Sequence, residues 1–248
     1  MIVLLNSSKT MVSNPIGENY CAPELLESAI KLDRLLKKLK PPELRKLMHL
    51  SPTLAIKTFD LIQGWTTDPE SQTAALDAFQ GDIYRGLLAR TFLEADRRYA
   101  NDHVRILSGL YGIVRPLDKI MPYRLELMYP LSGRGYSNLY EFWGSRVAAT
   151  LPKSGLIVDV ASNEYSRLIR PFVDAGRIVE PLFLTSSPGS AEPTFVAVHA
   201  KVARGSFARW LITSKTTDPA SFGAFADLDY CFDEGNSTPN DPVFIKRL

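Results

Sequence analysis

Chemistry-bearing side chains in this sequence gather where apolar runs end. Ile2 to Leu5 is a short continuous apolar run that leads into Asn6-Ser-Ser-Lys-Thr10. A strand that empties into a small polar loop with one lysine can hold an anion between backbone N–H groups and the Lys9 ammonium. The loop lacks the glycines of a Walker motif, and a solvated loop with an exposed lysine is the alternative. Leu156 to Ala161 is a second such run, followed by Ser162, Asn163, Glu164 and Tyr165. A serine ahead of a helix and a glutamate in its first turn suit a helix terminus. A carboxylate just past an inner strand also stands where open α/β sheets place their ligands. Lys201 and Arg204 are read as a third group, at the junction between a strand over 194–201 and a helix over 202–213.

The stretch from Arg105 to Glu126, RILSGLYGIVRPLDKIMPYRLE, adds a fourth group. Gly109, Gly112, Pro116 and Pro122 punctuate it too often for a plain helix. If Tyr123 to Leu127 is extended, Arg124 and Glu126 share one face while Tyr123, Leu125 and Leu127 share the other. The competing reading is a buried structural turn with an ion pair.

Together these residues suit a group transfer on a nucleobase, nucleoside or other small anionic substrate. Glu164, Lys9 and Tyr165 would be the reacting groups. Arg115, Tyr123, Arg124, Glu126, Ser162, Asn163, Lys201 and Arg204 would bind the substrate. S-adenosylmethionine is a conceivable donor, although no glycine-rich nucleotide fingerprint accompanies it. His49, His103 and His199 are too scattered to suggest a metal site.

The elements that must position these groups alternate between strand and helix. The pattern predicts one mixed α/β domain over residues 1–248, with a helical segment at 23–79. Leu25, Leu26, Ile30, Leu32, Leu35, Leu36 and Leu39 give a helix over 23–40, which Pro41-Pro42 ends. Helices follow over 43–48, 53–63, 69–79, 85–88, 93–102 and 139–151. Strands are expected over 178–184 and 194–201, joined as a hairpin. Residues 230–233 and 243–246 form another hairpin. Trp143 reads as core, and His199 as a satisfied histidine in an apolar strand.

Composition is that of an ordinary soluble domain: 248 residues, 45% hydrophobic, 23% charged and a net charge of +2. Cys21 and Cys231 are too few for a disulfide framework and point to a reducing compartment. The apolar start has no basic flank, and no run is long enough for a membrane helix. A cytoplasmic protein is expected. Charge is uneven, however. Between Lys31 and Lys57, eight basic residues face two acidic ones, a local +6. Lys37, Lys38, Lys40, Arg45, Lys46 and Lys57 make that region a candidate for nucleic-acid phosphates. Two helices joined at His49-Leu-Ser-Pro52 suggest a helix-hairpin-helix, although the usual hairpin glycines are absent. A solvated helix face is the alternative.

Ser108-Gly-Leu-Tyr-Gly-Ile-Val-Arg-Pro-Leu-Asp118, followed by Pro122-Tyr-Arg-Leu-Glu126, resembles the signature of the YaaA family of bacterial peroxide-stress proteins. Ser8-Lys-Thr10, Leu139-Tyr-Glu-Phe-Trp143, Ala161-Ser-Asn-Glu-Tyr165, Ala203-Arg-Gly205 and Phe232-Asp-Glu234 match in order and spacing. The resemblance implies an unusual fold with a basic cleft. It also implies a role in peroxide stress and binding of duplex or distorted DNA. Many relatives carry Asp at the position of Asn163, so the resemblance leaves Glu164 as the acid of that pair.

Overall fold

The computed structural model describes residues 1–13, 21–186 and 192–247. Strand β1 (Ile2–Asn6) is the expected buried run. The helical segment follows as α1 (Leu26–Leu36), α2 (Pro41–Met48) and α3 (Pro52–Gln63). Pro41 and Pro42 do not end the first helix. They open the second, where their missing N–H groups cost nothing and the fixed φ is already helical. His49 turns the chain in the left-handed region, and the Ser51 hydroxyl accepts the Leu54 N–H at 3.3 Å.

The helix expected over 69–79 is broken. A 3₁₀ turn at Pro69–Ser71 gives way to β2 (Thr73–Ala74) and the single-turn α4 (Ala75–Ala78). The cause is tertiary. β2 pairs with β5 (Lys119–Ile120), and the Ala75 and Leu76 N–H groups donate to the carbonyls of Asp118 and Pro116. Two helices, α5 (Asp82–Leu87) and α6 (Glu94–His103), then lead into β3 (Val104–Ser108).

Gly109 to Tyr111 turn β3 back into β4 (Gly112–Val114) as an antiparallel hairpin. The glycines are needed there. A Cβ on Gly109 would stand 2.1 Å from the Leu125 carbonyl oxygen, and Gly112 has φ +70 against the Trp143 ring. Tyr123 to Leu127 alternates as expected, with Tyr123, Leu125 and Leu127 buried and Arg124 and Glu126 half-exposed, although no ladder forms. The run over 139–151 splits at Gly144 into α7 (Leu139–Trp143) and α8 (Arg146–Ala149). Trp143 is buried, and its indole N–H donates to the Gly109 carbonyl.

β6 (Ile157–Asp159) runs into the short α9 (Asn163–Ser166). The expected strand over 178–184 becomes two, β7 (Ile178–Val179) and β8 (Leu182–Ser186), in different sheets. Pro181 between them has no ladder donor. The expected strand over 194–201 is instead the start of α10 (Ala197–Ser214). Val196, Val198 and Ala200 alternate, but Ala200, Ala203, Phe207 and Leu211 also repeat at helical spacing, and that face is buried. β9 (Tyr230–Phe232) and β10 (Val243–Arg247) form the predicted hairpin.

The main sheet has the order β4-β3-β1-β6-β7, parallel except for β4 at one edge. From β1 the chain builds outward to β3 on one side, then crosses to β6 on the other. A crevice therefore opens beyond the C-terminal ends of β1 and β6, the topological switch point of an open α/β sheet. The second sheet, β8-β10-β9, packs against α10 through Phe183, Phe207, Phe225 and Phe244. The fold is thus mixed α/β, with one buried apolar cluster running through it.

Candidate functional site

A cleft of about 540 Å³ occupies that switch point. Two strand ends form its floor. Beyond β1 the wall is Asn6 to Lys9, and beyond β6 it is Ser162 to Tyr165. The two ends are locked together: Asn6 Oδ1 accepts the Ser162 N–H at 3.1 Å, and the Ser7 hydroxyl donates to the Tyr165 oxygen at 3.1 Å. Glu126, the start of α5, and Lys201 and Arg204 from α10 close the sides. Tight crossing of α5 and α10 fixes that wall, since a Cβ on Gly205 would meet the Ile83 carbonyl oxygen at 1.8 Å.

Acids and cations alternate around the cleft. Glu126 lies 3.7 Å from the Lys9 ammonium and accepts a hydrogen bond from Tyr165. Burial raises its pKa, and the neighbouring Glu164 adds to the rise, against Lys9. Burial also holds the Tyr165 phenol well above its ordinary range, with Glu126 adding to it. Tyr165 is therefore a neutral hydroxyl that donates to Glu126 and accepts from Ser7. Glu164 Oε1 accepts the Met128 N–H at 3.2 Å, and its backbone carbonyl accepts the Tyr140 hydroxyl. The Arg204 guanidinium lies under the exposed Phe195 ring at 5.9 Å, and burial lowers its pKa. Among the described residues, neither Lys201 nor Arg204 forms a hydrogen bond or an ion pair with the protein.

Eight of the eleven residues singled out for catalysis or substrate binding line this cleft: Lys9, Glu126, Ser162, Asn163, Glu164, Tyr165, Lys201 and Arg204. Three do not. Tyr123 is buried, its hydroxyl bonded to Ser108 at 2.7 Å and to Ser7, so it braces the floor. Arg124 is not on the wall. Its Nε is buried without a hydrogen-bond partner among the described residues, and its charge acts on Glu126. Arg115 sits with Glu24 and Asp118 at the turn after β4. Two local expectations also need correction. Lys201 and Arg204 lie inside α10, one turn and more from its start, not at a strand-to-helix junction. Ser162 precedes α9 without a side-chain capping bond. Gln80, Gly81 and Asp82, outside the set expected from sequence, also line the cleft. A helix break with a glycine was their only signal.

The basic helical region divides. Lys37 is engaged with Asp33 at 3.0 Å and with the Trp65 carbonyl at 2.8 Å. Lys38, Lys40, Arg45, Lys46 and Lys57 are exposed, with Arg45 and Lys46 beside the His49 turn.

Fold and cleft define an α/β protein with a crevice at its switch point. The family of the peroxide stress protein YaaA matches residues 1–236, and the chain belongs to that family. It is 47% identical over 246 residues to a UPF0246 protein of Salinispora tropica, covering 99% of this chain and 94% of that protein. No helix among the described residues is long and apolar enough to cross a membrane.

Proposed function

We propose that this peroxide-stress family member binds a small anionic ligand in the switch-point cleft and transfers a group to or from it. Lys201 and Arg204 carry this reading: two cations line the cleft without a hydrogen bond or ion pair among the described residues. A guanidinium drawn into a low-dielectric wall gains from an anion supplied by a ligand. Next to it, Glu126 and Tyr165 form a hydrogen-bonded pair with Glu164 nearby, an arrangement suited to moving one proton. In this assignment Lys201 and Arg204 hold the anion, Glu164 accepts the proton, and Tyr165 keeps Glu126 oriented. The test is a thermal-shift and calorimetric screen of phosphates, carboxylates, nucleotides and S-adenosylmethionine. A ligand that binds the wild-type chain and loses at least about tenfold in Arg204→Gln, roughly the worth of one charge-assisted contact, supports the reading. Equal affinity in the two proteins contradicts it.

A second reading rests on the helical hairpin. Lys38, Lys40, Arg45, Lys46 and Lys57 are exposed along the helical segment, Arg45 and Lys46 beside the His49 turn, and are suited to contacting a DNA backbone without reading bases. The cleft is less suited to that task, because Asp82, Glu126 and Glu164 on its wall repel a polyanion.

A further inference from the structure

Beside the cleft lies a second chamber of about 430 Å³. The two share the wall Gln80–Asp82, and Gly81 at its centre carries no side chain. The chambers differ in chemistry. The second is lined on its apolar side by Leu76, Phe79, Tyr84, Leu88 and Ala89, with the Phe79 and Tyr84 rings 5.5 Å apart. Asp77, Gln80, Asp82, Arg85, Arg90 and Thr91 supply its polar lining. Arg90 is exposed there and makes no hydrogen bond or ion pair among the described residues. The Gln80 amide donates to the Asp77 carbonyl at 3.3 Å, which leaves its oxygen as an acceptor. Leu88 stands at the mouth, 42% exposed, with φ +48. A leucine in the left-handed region is uncommon, and such strain concentrates at ligand sites.

We propose that this second chamber takes the base of a nucleoside monophosphate whose phosphate is held by Lys201 and Arg204. A flat heteroaromatic ring with a polar edge matches a lining that sets aromatic and aliphatic groups beside polar ones. The sugar crosses the shared wall beside Gly81, where the Ser8 hydroxyl, 2.9 Å from where a Gly81 Cβ would stand, fills the space of the missing side chain and offers the sugar a hydrogen-bond partner. The proposal rests on the anion-binding reading of the cleft and adds the identity of what the anion is attached to.

Calorimetry on the full chain separates the two. The titrants are inorganic phosphate, ribose 5-phosphate and the nucleoside 5′-monophosphates. The proposal expects at least one nucleotide to bind roughly tenfold or more tightly than ribose 5-phosphate, the gain from burying the base. Leu88→Asn should erase that gain while leaving the affinity for ribose 5-phosphate unchanged. Asn tolerates the left-handed backbone and brings no charge, so the fold is kept. Nucleotides that bind no more tightly than ribose 5-phosphate overturn the base chamber and leave the anion site standing. So does a nucleotide preference that survives Leu88→Asn. Failure of all titrants to bind the wild-type chain overturns the anion site, and this proposal with it.

Discussion

Gly205→Ala probes the wall that sets the cleft's width. The new Cβ would stand 1.8 Å from the Ile83 carbonyl oxygen and 2.8 Å from the Leu87 N. Ordinary contact begins near 3.4 Å, so α5 and α10 must part by about 1.6 Å at this crossing. Both partners are backbone, so no side chain can rotate away. Ala in a helix interior gains about 1 kcal/mol over Gly. Overpacking a close crossing costs 1–3 kcal/mol and more when backbone must move, and the parted helices leave unfilled space. We expect a net loss of about 2–3 kcal/mol, read as a lower urea midpoint at unchanged slope. Because Lys201 and Arg204 ride on α10 and Ile83 on α5, affinity for the cleft ligand should fall as well. A variant within 0.5 kcal/mol of the wild type, of the order expected for a surface change, would refute the claim that this crossing holds the site rigid.

Glu164→Gln keeps an acceptor for the Met128 N–H. It should abolish turnover while changing stability by no more than about 0.5 kcal/mol. A loss of several kcal/mol in chemical denaturation would make Glu164 structural. Asp118 is buried, and desolvation pushes its carboxyl up to about 6. Its folded pKa lies above the unfolded value, so its contribution is full below about pH 4 and is lost as pH rises through 6. Between 3.8 and about 6 the linkage amounts to about 3 kcal/mol. Asp118→Asn should therefore gain up to that much relative to wild type at pH 7 and nothing below pH 4. A gap that does not narrow on acidification speaks against it. For the helical hairpin, changing Lys38, Arg45 and Lys46 to Gln should reduce the log–log salt slope of DNA binding by roughly 3, about 0.9 for each lost phosphate contact. An unchanged slope in the folded variant removes these residues from any DNA surface.

What the sequence made legible was the floor of the site. Two short apolar runs, 2–5 and 156–161, could only be inner strands, and the polar residues just beyond them had to meet at the sheet's end. The wall was harder to read. Lys201 and Arg204 entered the candidate set through a strand that is helix. Ala and Val dominate that stretch, and its alternation over a few residues fits either period. Arg115 was grouped with Arg124 because they are nine residues apart along the chain. The turn at Pro116 and the pairing of β5 with β2 send them to different places. The second chamber is lined by one stretch, residues 76–91, whose breaks between α4 and α5 leave no helical or strand period to read.

The central claim is that Lys201 and Arg204 hold a ligand's anion in the switch-point cleft. A crystal structure of the full chain grown with a nucleoside monophosphate tests it most directly. Phosphate density is expected within hydrogen-bond distance of the Lys201 ammonium and the Arg204 guanidinium. Density only at the helical hairpin beside Arg45 and Lys46, with none at the switch point, would contradict it.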